Sequence, residues 1–278
     1  PGVALRSADE DNFIAQLDNA LDVARKALLE GQDIVRRSLY EWELLPWLLN
    51  KTDDGVLYFD FEKRHLTFGV VGLNECLLNL TGEGIDKKIG TGIKIIAHIL
   101  GRIEEFSHED GIAYTLEQTP AESTAHRLAM LDRENFGEKS EVQGIEGACY
   151  YTNSTHLPYN AGMSLIDRIN IEAEFHPFFT GGTICHIWMG ESYPDPAGLN
   201  DFIRKLSGTK LAYLCFSPDF SICDKGHTSR GVSEICPLCS SPVTDHISRV
   251  TGYYGHVNQW NPGKKAEYAQ RHRYRMHC

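Results

Sequence analysis

Cys223, His227, Cys236 and Cys239 form two short pairs, Cys-x3-His and Cys-x2-Cys, with eight residues between them. Thiolates and imidazole paired on two separate turns are what a tetrahedral zinc site requires, and Cys215 is a candidate to replace His227 as the fourth ligand. Four protein ligands leave no open coordination position, so the zinc would be structural. The alternative, buried free thiols or a redox pair, leaves a Gly- and Pro-rich segment with no source of rigidity. A second chemistry-bearing group is Glu75, at the polar end of the apolar run LTFGVVGLNE over 66–75. A carboxyl lodged among apolar neighbours can titrate above its usual range and serve as acid or base. Strand alternation would send Glu75 to the face opposite Asn74 and Cys76, the latter a candidate redox thiol. A third is Thr119-Pro120-Ala121-Glu122-Ser123-Thr124. A helix starting at Pro120 presents unpaired N–H groups and its positive dipole end, an anion site to which Ser123 and Thr124 add hydroxyls. The competing reading is a capping box closed by Glu122. Cys149, Cys185, His156, His186 and Trp188 read as buried core residues, and Gly252 in RVTGYYG reads at first as a turn glycine.

These groups need a scaffold, and the hydrophobic periodicity supplies one. Ile14, Leu17, Leu21, Ala24 and Leu28 recur every three or four residues behind a Ser7/Glu10 capping box, which predicts a first helix. The run 66–75 reads as a strand buried on both faces, and parallel sheets place chemistry at that end. Ile89, Ile93, Ile96, Leu100 and Ile103 mark a second helix, and the segment from Thr119 a third. Strands are expected at 181–189 and 210–216, with a helix from about Pro196 between them. The fold class is α/β up to residue 216. Residues 217–243 form a small metal-stapled module, and 244–278 a Gly- and Tyr-rich loop with a basic tail.

The chain has 278 residues, and 38 acidic against 27 basic side chains give a net charge of −11, which argues against a protein that coats nucleic acid. No apolar run approaches the ~20 residues of a membrane helix, and the N-terminus lacks signal-peptide features, so a cytoplasmic location is expected. Lys264, Lys265, Arg271, Arg273 and Arg275 face a single Glu267 in the tail, the pattern of a docking surface, a solvated helix or a nucleic-acid contact.

RVTGYYG at 249–255 resembles the C-terminal signature of glycyl radical enzymes, in which a backbone glycine holds an unpaired electron. Glycine suits that role because no side chain blocks planarity at Cα, and a short buried loop would shield it. Beside the Cys/His cluster, and with GVVGLNE at 69–75, TPAESTAHRLAMLD at 119–132, YYTNSTHLPY at 150–159 and FTGGTICHIWMGE at 179–191, the chain resembles anaerobic (class III) ribonucleoside triphosphate reductases. Several relatives bring four Cys to zinc, where this chain offers His227.

That resemblance implies the second part of a ten-stranded β/α barrel over 1–216, a zinc module over 217–243, and a radical loop with tail over 244–278. It implies a radical on Gly252, installed by a radical S-adenosylmethionine iron-sulfur activase that the tail would dock. A thiyl radical on a cysteine abstracts the ribose 3′ hydrogen in this family; the 2′ hydroxyl leaves as water and re-reduction yields the deoxynucleotide. Thr119 to Thr124 would hold the substrate phosphates, and Glu75 would transfer protons near the ribose. The reductant is formate in one branch and a thioredoxin-like protein in another; a carboxyl at Glu75 favours the latter. The nucleotide-binding cone, the first barrel strands and the thiyl cysteine precede the point matching Pro1. The chain is therefore expected to be inactive without an N-terminal half, and to be part of a homodimer when complete. The alternatives are a zinc-ribbon nucleic-acid module and a glycyl radical lyase acting on small acids or diols.

Overall fold

The computed structural model describes residues 1–190 and 193–275. Glu191, which ends the 179–191 motif, and positions 276–278 of the tail lie outside the described residues. A short helix α1 (Gly2–Leu5) precedes the long α2 (Glu10–Tyr40). Asp9, not Ser7, caps α2: its carboxylate accepts the Asn12 N–H, while the Ser7 hydroxyl donates back to the Val3 carbonyl. The expected capping box is thus displaced by two residues, since Asp caps as well as Ser does. Phe13 and Leu21 bury one stripe of α2 against the core, as the periodicity predicts.

The run 66–75 is not one strand. Strand β1 (His65–Gly69) ends early, and Gly72, at φ +71°, turns the chain into α3 (Leu73–Thr81). A side chain at 72 would be strained in this left-handed conformation, and its Cβ would lie 2.7 Å from Pro1 Cγ. Asn74, Glu75 and Cys76 therefore share the first turn of a helix and are all buried, so strand alternation does not apply to them. Nor is β1 buried on both faces: His65, Thr67 and Gly69 are exposed while Phe68 is buried.

Helix α4 (Ile89–Asp110) matches its predicted periodicity, with Ile96, Ile99, Ile103 and Phe106 buried. Strand β2 (Ala113–Glu117) lies parallel to β1. It leads into α5 (Glu122–Phe136), which begins two residues after Pro120 because Ala121 adopts a left-handed conformation, φ +45°. Helix α6 (Leu165–Ala173), strand β3 (Cys185–Met189), helix α7 (Pro196–Leu206) and strand β4 (Leu214–Pro218) follow, with β3 parallel to β4. The two parallel pairs meet at Glu117 and Gly182, with Gln118 N donating to Gly182 O at 2.9 Å. All of β3 is buried, as expected of a strand covered on both faces.

Beyond β4 the chain forms an antiparallel sheet, β5 (Phe220–Cys223), β6 (Thr228–Arg230), β7 (Val243–Arg249) and β8 (Tyr254–His256), in the order β6-β5-β7-β8. This sheet continues past 243 to His256, so the metal-site strands and the loop at 249–255 belong to one unit. Helix α8 (Pro262–Gln270) closes the described chain, and Tyr274 pairs with the end of β3 through its N–H on Trp188 O at 2.8 Å. Among the described residues, no helix is long and apolar enough to cross a membrane.

The basic tail is largely internal. Lys264 and Arg271 are buried and both pair with the buried Glu267, while Arg273 pairs with Asp219 at 2.7 Å. Burial without a partner would be costly, so these charges are neutralised in place rather than offered to a ligand. Lys265 and Arg275 are exposed.

Two buried histidines make stability pH-dependent. Burial lowers His176 to about 4, and burial, followed by repulsion from His156 and Arg271, lowers His186 to about 2. In the unfolded chain each takes up its proton near pH 6.5. Between those values the unfolded state binds more protons, so the stability is fully present above pH 6.5 and is lost as pH falls. Each histidine is expected to cost on the order of 2 kcal/mol at pH 5. Urea titrations at pH 7 and pH 5 would read this; equal stabilities would contradict it.

Candidate active site and metal centre

The candidate metal ligands lie on the turns at one end of the antiparallel sheet. Cys223 ends β5, and Gly226, at φ +80°, returns the chain so that Cys223 N donates to His227 O at 3.1 Å. A second turn, with Ser240 N donating to Cys236 O at 2.9 Å, brings Cys236 and Cys239 to the same point. The ligand atoms of Cys223, His227, Cys236 and Cys239 all lie within 4.8 Å of one another. The Cys223 and Cys239 sulfurs are 3.8 Å apart, the tetrahedral edge of about 3.8 Å that Zn–S bonds of about 2.3 Å define. Hydrogen bonds from Ser241, with His227 adding to them, pull the Cys239 thiol down to about 6, toward the thiolate a metal needs. The donor set therefore fits zinc. Cys215 is not part of this cluster; its sulfur instead accepts the Arg249 Nη1 at 2.6 Å.

Glu75 is completely buried. Its Oε1 accepts from Thr152 Oγ1 at 2.6 Å, Gln143 Nε2 at 3.0 Å and Asn74 Nδ2 at 3.1 Å, and its Oε2 accepts from Thr152 N at 3.1 Å. The walls facing its carboxylate are thus polar donors, against the apolar surroundings expected from the run 66–75. Gln143 and Thr152, 68 and 77 residues downstream, carry no local signal in the sequence. Glu75→Gln would turn an amide N–H₂ toward these donors and is expected to lose about 1–3 kcal/mol. Chemical denaturation checks this; an unchanged midpoint would show that the carboxylate oxygens do not accept these bonds. Cys76, one residue on, lies in the apolar core beside Glu75, and burial raises its thiol above the ordinary range.

Helix α5 begins without a side-chain cap, so Glu122 closes no capping box. Ser123 and Thr124 are exposed in the first turn, following Thr119, Pro120 and Ala121. Glu122 points toward the loop at 249–255, where its Oε2 accepts the Tyr253 hydroxyl at 3.4 Å. A cleft of about 290 Å³ lies here, lined by Glu122, Ser123, Val250, Tyr253 and Lys264. The uncapped helix start and the glycine-bearing loop are therefore neighbours, 131 residues apart in the chain.

The loop is a tight turn in which Val250 N donates to Tyr253 O at 2.9 Å. Arg249 braces it: Nε donates to Thr251 O and Nη2 to Gly252 O, both at 3.1 Å. Gly252 itself is exposed, and a Cβ built on it would meet nothing within 4 Å. The buried loop expected from the sequence is therefore open in this chain, because no described element covers its tip.

The family profile described as "Anaerobic ribonucleoside-triphosphate reductase" matches residues 1–274. The chain belongs to this family. The anaerobic ribonucleoside-triphosphate reductase of Escherichia coli K12 is 30% identical over 98% of the chain, and that of Haemophilus influenzae 28% identical over 98%. In both cases the chain spans 41% of the relative's length. A solved anaerobic ribonucleotide reductase aligns over 99% of the chain with a TM-score of 0.80 and 27% identity, covering 44% of that protein. The Thermotoga maritima enzyme, solved in complex with dATP and CTP, aligns over 96% of the chain and 43% of its own, with a TM-score of 0.75 and 26% identity. The mixed α/β architecture and the Cys/His cluster thus belong to a chain of the anaerobic ribonucleotide reductase family that covers about two-fifths of its relatives.

Proposed function

We propose that this chain carries the radical glycine and part of the substrate site of an anaerobic ribonucleoside-triphosphate reductase, and acts together with an N-terminal half. The carrying observation is the Tyr253 to Glu122 contact, which brings the RVTGYYG loop to the uncapped start of α5. The free N–H groups there, with Ser123 and Thr124, would receive the triphosphate of the ribonucleotide. The Tyr253 hydroxyl, which donates to Glu122 Oε2 at 3.4 Å, gives that carboxylate a partner other than the phosphates and so supports the reading.

Gly252 would hold the unpaired electron once a radical S-adenosylmethionine iron-sulfur activase has acted on it. Its open tip would let the loop reach that activase, and strands supplied by the N-terminal half would later cover it. The exposed face of β1, with Thr67 hydrogen-bonded to Thr115 of β2 at 3.0 Å, would then line the interior of a ten-stranded barrel. Within that barrel Glu75 would hold and release a proton near the ribose, fixed in place by Thr152, Gln143 and Asn74. A carboxylate in that place suits a thioredoxin-like protein as the electron source rather than formate; the redox role of Cys76 would require it to leave its apolar surroundings. Zinc, held by Cys223, His227, Cys236 and Cys239, would supply rigidity to the sheet whose β7 and β8 flank the loop. A cytoplasmic homodimer is the assembly proposed.

Complementation tests this reading. The activated 278-residue chain alone should form no deoxynucleotide, and adding the N-terminal remainder of the reductase should restore turnover. Turnover by the isolated chain, or none with both halves and a working activase, would overturn it.

A further inference from the structure

Cys215 is a candidate for the metal site by its place in the sequence and is not in it, yet its sulfur is held by three polar contacts. It projects from β4 beside His186 of β3, its register partner. Arg249 Nη1 donates to it at 2.6 Å and Ser217 Oγ at 3.5 Å, while its own proton points to Phe216 O at 3.9 Å. Ser217 is in turn held by His186 Nδ1 at 3.2 Å, so the sulfur is fixed from the strand side as well. The same guanidinium donates through Nε and Nη2 to the carbonyls of Thr251 and Gly252. An arginine fork is planar and rigid, so fixing one corner on a sulfur orients the other two donors.

We infer that Cys215 is a positioning residue for the Gly252 loop: it anchors the Arg249 fork to β4 and thereby sets where the Gly252 carbonyl stands relative to the parallel strands. The role rests on the proposed radical function of that loop, but the clamp is a statement about this chain alone. It explains why a buried thiol with no metal faces a guanidinium, and why an otherwise open loop tip is held at its carbonyls. Toward Arg249 the sulfur acts as an acceptor; no covalent or redox step is involved.

Hydrogen exchange read by mass spectrometry on the zinc-loaded 278-residue chain tests the clamp without any radical. The reporter is the peptide over 245–256, which retains the label on the Val250 amide bound to Tyr253 O. Cys215→Ala should accelerate its exchange by about tenfold, the expected loss for a bond to a charged donor. Arg249→Gln should do the same, and the double variant should be no faster than either single one. Cys215→Ser, which keeps an acceptor, should restore at least half of the protection, while peptides from 89–110 stay unchanged in every variant. Unchanged loop exchange in Cys215→Ala, or additive acceleration in the double variant, would overturn the inference; so would a serine that rescues nothing. Should the loop loosen as expected while no glycyl signal forms in the activated wild type, the clamp stands and the radical reading falls.

Discussion

Gly252→Ala is expected to abolish the glycyl radical and all nucleotide reduction while leaving the fold, the zinc content and the loop intact. The clean separation comes from local geometry. Gly252 does not occupy the left-handed region, and an added Cβ meets nothing within 4 Å. The substitution therefore brings neither strain nor a clash, and by restricting the unfolded chain it should change stability by less than about 1 kcal/mol. The chemical effect is the opposite in size, because a methyl group at Cα blocks the planar, delocalised state on which the radical depends. Exposure to oxygen gives an independent check: the activated wild type should be cleaved at Gly252, releasing a piece of about 26 residues, and the Ala variant should stay whole. A variant that loses zinc or unfolds, or one that is still cut at 252, would contradict the assignment.

Loss of the metal should have the second largest effect. Cys236→Ala removes a buried ligand from the turn that meets the end of β5. Zinc content is expected to fall from one ion per chain to below about one-tenth, because three remaining ligands lose the closed tetrahedral shell. Structural zinc contributes about 10–16 kcal/mol in small zinc modules, comparable to the whole stability of a domain. The β5–β8 sheet should thus lose its protection against hydrogen exchange while α4 and the core around Ile96, Ile103 and Phe106 keep theirs. Since β7 and β8 flank Gly252, radical formation should fail with the sheet. Full zinc occupancy in the variant, or a sheet unchanged after chelation, would show that the cluster does not hold a structural metal.

How far the sequence could be read depended on the range of the interaction. Local patterns were legible: the period of Ile89 to Ile103 became α4, Pro196 began α7, and the two ligand pairs converged on one point because each pair is a single turn. The split of 66–75 was hidden, since VVGLNE carries the apolar content of a strand and only the φ of Gly72 reveals the turn into α3. Glu75 was found by its place after the apolar run, but Gln143 and Thr152 approach it through tertiary packing that no spacing encodes. Cys215 resembled a ligand because it is near the other cysteines in the chain, whereas in space Arg249 claims it. The tail charges read as a docking surface, a solvated helix or a nucleic-acid contact because the partners of Arg271 and Arg273, Glu267 and Asp219, meet them only when α8 docks. Gly252 was expected to be buried from the needs of its chemistry, and its exposure here reflects the absence of a covering surface among the described elements.

The central claim, that Gly252 carries the unpaired electron, is tested most directly by electron paramagnetic resonance of the assembled enzyme after anaerobic activation. Coupling to the single remaining α hydrogen should give a doublet, and protein grown on α-deuterated glycine should show it collapsed to a narrow singlet. A doublet that ignores the glycine label, or no signal from an enzyme with its N-terminal half and a verified activase, would contradict the account.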